Sequence, residues 1–346
     1  TATQMHSRQF GLSPALNGMC RGFYEETRNG HRIIGHGGDT VYFHSDMHLM
    51  LDDGVGFYVS YNSAGKGDIS ARTALWEHFL DRYFPYTPPK AEKLSTADAD
   101  AKAVAGHYLT SRRSESNFLK VAAVDDDLKI TPDENGTIRV EPLRDFNGQL
   151  KKWQEIVPLV YRSVNGQDLI AFRQLDNNRM QLIPNFPAVV YQRVNLVANS
   201  DFNQMLILVA IIVLSLTLVF WPVGAIVRLH YHHRLELDAK SLRLRPWVRL
   251  VCAIDIAFLL IFFKVVTSDS LATLSSRNDL KFHLIQTLGA VGAVGIVVVV
   301  LACLSSWRDP HEWFWSKMWN LLLLLACVAF VWFSIHWNLL NFNLNY

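Results

Sequence analysis

The stretch that decides the fold is Met205 to Val227, MLILVAIIVLSLTLVFWPVGAIV, an unbroken apolar run with the length of a membrane span. Crossing about 30 Å of hydrocarbon as a helix takes about 20 residues. Three further runs of similar length follow at 247–266, 282–304 and 318–340. A helix satisfies all of its backbone hydrogen bonds internally, as hydrocarbon requires. We therefore predict a bundle of four transmembrane helices over residues 205–340.

The first part of the chain has a different character. Residues 1–195 contain no apolar run of this length and are predicted to form a water-soluble unit. A chain with 50% hydrophobic and 18% charged residues suits a polar region joined to a membrane bundle. The net charge of +2 is too small for a nucleic-acid-binding protein, and that class is excluded. Of the four cysteines only Cys20 lies outside the apolar runs, so the sequence offers no disulfide framework.

The chain begins at Thr1 without a methionine or a signal peptide, and we expect it to be a fragment or a processed product. Its orientation follows from the basic residues, which concentrate between the first two spans at Arg228, Arg234, Lys240, Arg243, Arg245 and Arg249. The stretch 267–281 carries only Arg277 and Lys281. Positively charged loops stay in the cytoplasm. We therefore predict a multi-pass protein of a bacterial inner membrane, with its soluble part facing the periplasm or the cell exterior.

Three β-strands are predicted early in the chain, at His31 to His36, His44 to Leu51 and Val55 to Tyr61. Asp52-Asp53-Gly54 supplies a tight turn between the last two, which makes them an antiparallel hairpin. Apolar residues then recur at helical spacing over 68–84, and this helix is expected to pack on the sheet.

A linker and a second domain follow. Prolines at 85, 88 and 89 interrupt regular structure, and residues 85–105 are predicted to be a linker. From 106 to 195, short β-prone runs alternate with Gly, Asn and Asp turns, which predicts a small all-β domain, either a sandwich or a barrel. This domain contains no cluster of residues that suggests catalysis.

The most specific local signal is Gly35-His36-Gly37-Gly38-Asp39-Thr40, at the end of the first predicted strand. Glycines leave room for a substrate backbone to approach a strand. A histidine beside them could balance a substrate carboxylate or transfer a proton near neutral pH. On the motif alone, a β-bulge or a turn explains the same residues, and that alternative stays open.

Together with the hairpin and helix that follow, over about residues 17 to 84, the motif resembles the third motif of the serine β-lactamase and penicillin-binding-protein superfamily, in its class C, esterase-like branch. The resemblance implies a fold class. Residues 1–84 would be the C-terminal end of an α+β lactamase-type domain, residues 106–195 an all-β accessory domain, and the four-helix transmembrane bundle would follow.

The same resemblance implies a site. It makes His36 a catalytic residue and places the backbone N–H of Asp39 in an oxyanion hole, where it would stabilise developing negative charge. It also implies substrate-binding roles for Gly37, Gly38 and Thr40.

That superfamily further requires a Ser-x-x-Lys motif and a Tyr-x-Asn motif, both of which we expect before Thr1, so residues 1–346 alone are expected to be inactive. The full protein would be a membrane-anchored serine hydrolase acting on a small amide, ester or peptide through an acyl-serine intermediate. The alternative is a non-catalytic membrane protein whose degenerate lactamase-like domain binds a ligand and passes on a signal. The lipid bilayer is a predicted partner in either case, and no cofactor is predicted.

Two other groups of polar residues stand out in the sequence. His31, His44 and His48 could join His36 in a metal site, but their spacing is not that of a zinc site, and no metal is predicted. Asp255 lies inside the second span, where a carboxylate is costly. It is expected to face the bundle with a partner such as Gln286.

Overall fold

In a computed structural model of the protein, the described residues are 1–40, 42–63, 65, 70–176, 179–232, 237–268 and 274–345. They fall into two compact units. The first comprises Thr1–Arg113 and Asp126–Asn195, and the second comprises Ser114–Asp125 and Leu196–Tyr346. Arg234 and the beginning of the helix predicted over 68–84 lie outside the described residues.

The first unit begins with a short helix and a four-stranded antiparallel sheet, in which each strand pairs with the next along the chain. The elements are α1 (Ala2–His6), β1 (Tyr24–Glu25), β2 (Ile34–Asp39), β3 (His44–Met50), β4 (Val55–Tyr61) and α2 (Ala71–Tyr83). Helix α2 packs its buried Trp76 and Leu80 against Ile33 and Met50, so the apolar core of the sheet lies on one face.

The face of the sheet that carries α2 also buries polar side chains. His48 stacks on Trp76 with ring centroids 4.1 Å apart, and its Nδ1 lies 2.6 Å from Glu26 Oε2. The Glu26 carboxylate fits there because residue 35 is glycine: a Cβ on Gly35 would lie 2.2 Å from Glu26 Oε2 and 2.6 Å from the Met47 carbonyl oxygen. Gly35 therefore provides the space for a partly buried carboxylate.

The rest of the first unit is a closed antiparallel barrel of eight strands. After α3 (Ala97–Val104), the strands are β5 (Gly106–Thr110), β6 (Asp127–Pro132), β7 (Ile138–Arg144), β8 (Leu150–Val157), β9 (Val160–Ser163), β10 (Leu169–Gln174), β11 (Met180–Pro184) and β12 (Tyr191–Arg193). Pairing of β12 with β5 closes the ring. Large side chains fill the interior, including Tyr108, Trp153, Tyr161 and Phe172, as expected for a barrel of this size.

The sheet and the barrel meet around Arg28, which is 18% exposed. Its Nη1 lies 2.9 Å from Asp168 Oδ1, and its Nη2 lies 2.5 Å from Glu77 Oε2. Lys151 also binds Asp168. Beside this polar group, Leu16 packs with apolar side chains of the barrel. These contacts join the sheet and the barrel into one compact unit.

The second unit contains four long apolar helices, α4 (Ser200–His230), α5 (Ala239–Ser268), α6 (Asp279–Arg308) and α7 (Phe314–His336). Each is long and apolar enough to cross a membrane. The prediction of four such helices is confirmed, and the chain is a membrane protein.

Asp255 of α5 is 1% exposed and packs directly on α6, where a Cβ on Gly292 would lie 2.0 Å from its Oδ1. Gln286 is also fully buried. Within the described residues, Asp255 Oδ1 and both polar side-chain atoms of Gln286 have no hydrogen-bond partner. The pairing proposed between these two residues is therefore wrong.

Residues 114–125 lie between β5 and β6 in sequence but belong to the second unit. Phe118 is fully buried there and stacks on Phe282 with ring centroids 4.7 Å apart. The C-terminal tail binds the same segment through asparagines. Asn341 and Asn343 donate to the Ser116 carbonyl oxygen over 2.6 and 2.9 Å, and Asn117 donates to the Asn345 carbonyl oxygen over 2.7 Å.

The predicted fold class is wrong. The described residues do not form a lactamase-type fragment followed by a separate all-β domain and then helices. They form an N-terminal region of sheet and closed barrel, followed by four apolar helices. The physical reason is that a strand, a hairpin and a helix in that order specify only local pairing, whereas the fold of this region depends on closure of the barrel and on the contacts around Arg28.

Gly35→Ala should destabilise the first unit by about 1–3 kcal/mol, because the added methyl group displaces the Glu26 carboxylate from His48. The measurement is the urea-unfolding midpoint of the full chain in detergent. Gly56→Ala is the matched control, since a Cβ there would meet only Leu49 Cδ2 at 3.6 Å. Equal midpoints for the two variants would contradict this role of Gly35.

Candidate functional site

The outer edge of β2 is partly open. Strand β1 pairs only with Ile34 and Gly35, and no described strand covers the edge from His36 to Asp39. Just beyond β2, the Thr40 N–H donates to the Phe43 carbonyl oxygen over 2.8 Å, so Thr40 points its backbone groups toward β3. Backbone direction alternates along an antiparallel strand. The N–H and C=O groups of Gly37 and Asp39 therefore point away from β3, in the plane of the sheet and toward its open edge.

His36 is exposed on this edge next to Tyr24. The two rings stack with centroids 4.7 Å apart, and Tyr24 Oη lies 3.2 Å from His36 Nε2. Burial, together with the negative charge of Glu26, raises the pKa of Tyr24. The phenol thus stays protonated and can donate to Nε2 of a neutral imidazole, which fixes the orientation of the ring.

Neighbouring side chains occupy the space that the glycines leave. A Cβ on Gly37 would lie 2.7 Å from Asp46 Oδ1, and one on Gly38 would lie 3.0 Å from Ser45 Oγ. Thr40 Oγ1 accepts a hydrogen bond from the Phe43 N–H over 2.9 Å and so holds the turn after β2. A ligand would therefore approach Gly37 and Gly38 along the strand edge, in the plane of the sheet.

Arg72, in the first turn of α2, fixes the end of β2. Its Nη2 lies 2.9 Å from Asp39 Oδ2, and its Nε lies 3.1 Å from Asp46 Oδ2. Its Nη1 donates to the Ser45 carbonyl oxygen over 2.9 Å. Asp39 Oδ1 also lies 2.6 Å from His44 Nδ1. Hydrogen bonds from Arg72 and then His44 lower the pKa of Asp39, so this carboxylate is ionised near neutral pH.

Sequence analysis missed Arg72, although a signal was available. The positive end of a helix dipole disfavours a cation in the first turn, yet Arg72 stands second in α2. A basic residue at this position suggests an acidic partner outside the helix. The structure provides two such partners, Asp39 and Asp46, and places the Asp39 side chain in this ion pair.

The other histidines that sequence analysis considered lie apart, each with its own acid. His31 Nδ1 lies 2.8 Å from Asp53 Oδ2, whereas His44 binds Asp39 and His48 binds Glu26. Over the described part of the chain, no group of three or more His, Cys, Asp or Glu side chains is arranged to hold a metal ion.

Comparisons with known proteins do not identify a family. No protein-family model matches the chain, and no curated protein matches it. Two solved structures, of SurE with D-Leu and of SurE, align at 16% identity with TM-scores of 0.31 and 0.30. Both alignments cover 56% of this chain and only 43% and 41% of the SurE chains, so this chain spans less than half of their length. Scores this low support no argument about function.

The resemblance to the β-lactamase and penicillin-binding-protein superfamily is therefore wrong. The chain has a closed eight-stranded barrel instead of a lactamase-type fold, and no family model and no curated protein matches it.

The Arg72–Asp39 ion pair should make stability depend on pH. Because folding lowers the pKa of Asp39, the pair stabilises the fold above the unfolded pKa, about 4, and this contribution is lost as the pH falls through the lower folded value. Thermal midpoints of wild type and Arg72→Gln should differ at pH 6 and converge toward pH 3. Arg82→Gln, in the last turn of α2, is the control and should follow wild type. A constant difference across this range would contradict the assignment.

Proposed function

We propose that the chain is a membrane-attached binding protein whose first unit captures an extended peptide, or a similar small amide or ester, along the outer edge of β2. The observation that carries this proposal is the outward direction of the Gly37 and Asp39 backbone groups, which no described strand covers. An extended ligand can add to such an edge as a further strand, with backbone hydrogen bonds supplying affinity.

Side chains around the edge support the same proposal. The ring of His36, oriented by Tyr24, can bind a carbonyl or a carboxylate at one end of the ligand. At the other end, Arg72 holds Asp39 in place, so the outward backbone groups have a defined position before a ligand arrives. Such preorganisation lowers the entropic cost of binding.

The basic residues at the ends of α4 and α5 support a location of the first unit outside the cytoplasm. If Arg228, Lys240, Arg243 and Arg245 lie in the cytoplasm, an even number of spans would leave the first unit on the other face of the membrane. In a bacterium this is the periplasmic or outer face of the inner membrane. A ligand from that space would meet the edge of β2 without crossing the bilayer.

An acyl-serine hydrolase is the second candidate function. It is favoured by the oriented His36 imidazole, on the same strand edge as the outward N–H of Asp39, because acyl transfer needs a base and an oxyanion donor. Among the described residues, however, no serine or cysteine forms a hydrogen bond with His36, so we place binding first. Labelling of the chain by a fluorophosphonate that depends on His36 would favour the hydrolase.

The binding test begins with an array of immobilised hexapeptides probed with the full chain in detergent. The best binder is then made in two forms, with methyl groups on the backbone nitrogens of either odd or even positions. Strand addition uses only the N–H groups that face β2. One form should therefore bind within about twofold of the parent and the other at least about tenfold more weakly. Equal behaviour of the two forms would contradict strand addition.

Two variants locate the binding edge in the same assay. His36→Ala should weaken binding, because the ring lies on the open edge of β2. Tyr58→Ala is the control, because Tyr58 is 69% exposed on β4, at the opposite edge of the sheet. Loss of binding in Tyr58→Ala but not in His36→Ala would place the ligand on β4 and contradict the proposal.

A further inference from the structure

The membrane unit contains a cavity of about 230 Å³ between the ends of its helices, far along the chain from the strand edge described above. Three arginines line it. Arg228 lies in the last turn of α4, and Arg245 and Arg249 lie one turn apart on α5. We refer to it as the arginine cavity.

Positive charge exceeds negative charge in the arginine cavity. Its acidic residue is Glu312, whose Oε1 lies 3.6 Å from Arg245 Nη2. The same oxygen accepts hydrogen bonds from Ser316 Oγ over 2.5 Å and Asn320 Nδ2 over 3.3 Å. Considering the described residues alone, Arg228 and Arg249 have no acidic partner within ion-pair distance. One glutamate therefore offsets only one of three guanidinium groups.

Aromatic and apolar side chains form the outer wall of the cavity. Arg249 Cζ lies 4.7 Å from the centre of the Trp221 ring, so a cation–π contact holds this guanidinium in place. Phe220 and Trp221 are 56% and 48% exposed and lie in the apolar part of α4. The cavity thus has charged groups inside and an apolar rim that acyl chains can contact.

We propose that the arginine cavity binds a phosphate group, carried either by the headgroup of an anionic phospholipid or by a free phosphate ion. Guanidinium groups present paired N–H donors that match the oxygens of phosphate. Basic cavities between transmembrane helices near a membrane surface suit such headgroups. Binding would offset the charge excess of Arg228 and Arg249 and would link α4 to α5.

The test uses the full chain in nanodiscs that contain phosphatidylcholine and phosphatidylglycerol. Co-purified lipids are counted by native mass spectrometry. The double variant Arg228→Gln/Arg249→Gln should retain at least about tenfold less phosphatidylglycerol, since each lost charge-assisted hydrogen bond weakens binding substantially. Arg243→Gln is the matched control, because Arg243 is exposed on α5 and does not line the cavity. It should retain phosphatidylglycerol as wild type does.

A second arm distinguishes the source of the phosphate. Lipid-depleted protein in neutral detergent is titrated with inorganic phosphate, and the thermal midpoint is recorded for wild type and the same variants. If wild type retains phosphatidylglycerol and the double variant loses it, the ligand is a lipid headgroup. If inorganic phosphate stabilises wild type but not the double variant, and no lipid is retained, the ligand is free phosphate.

Three results would overturn the proposal. They are unchanged lipid retention together with an unchanged phosphate response in the double variant, an equal loss in Arg243→Gln, and, in wild type, equal retention of phosphatidylcholine and phosphatidylglycerol together with no stabilisation by inorganic phosphate. Arg249→Lys guards against misfolding, because it keeps the charge but loses the planar fork. It should retain an intermediate amount of phosphatidylglycerol, and retention as low as in the double variant despite a wild-type thermal midpoint would also count against charge recognition.

Discussion

The open edge of the sheet at β2 depends on the ion pairs that the Arg72 guanidinium forms. The guanidinium extends from α2 to carboxylates on two strands, Asp39 at the end of β2 and Asp46 on β3, and also donates to the Ser45 carbonyl oxygen. Among the described residues, strand β2 has a full partner on one side only. Without Arg72, two carboxylates would face each other across neighbouring strands, and the open end of β2 would lose its connection to the helix.

A second constraint comes from the glycines of the same strand. Gly35 and Gly37 both lie on the face of the sheet that carries α2. Gly35 leaves space for the Glu26 carboxylate, and Gly37 leaves space for the Asp46 carboxylate. Burial raises the pKa of Asp46, and the Arg72 charge opposes that shift. The Arg72–Asp46 ion pair and the His48–Glu26 hydrogen bond, with His48 stacked on Trp76, therefore continue the core of the sheet toward the edge.

Local pattern predicted individual elements but not the fold class. Strand β4 has the bounds that alternation gave, and β3 ends within one residue of them. The four apolar runs are helices because their length and composition leave no other structure in a bilayer. The sequence could not decide between a sandwich and a barrel for residues 106–195, because barrel closure depends on pairing between β12 and β5, whose residues are about 80 positions apart. The family resemblance failed for the same reason, since it rested on local order alone.

The roles predicted for His36, Gly37, Gly38, Asp39 and Thr40 at the end of β2 stay predictions. The backbone N–H of Asp39 points away from β3. Its partner Arg72 was missed because it lies 33 residues further along the chain. The predicted pairing of Asp255 with Gln286 is wrong because polarity and burial alone do not determine which side chains form a hydrogen bond.

The most direct test of the central claim is hydrogen–deuterium exchange at single-amide resolution across β2 in the full chain. If the outer edge is open and the strand is held by β3 and Arg72, the amides of Gly37 and Asp39 should exchange rapidly while those of Gly38 and Thr40 are protected. Equal protection of all four amides would mean that the outer edge is already covered, and the proposed binding edge would be wrong.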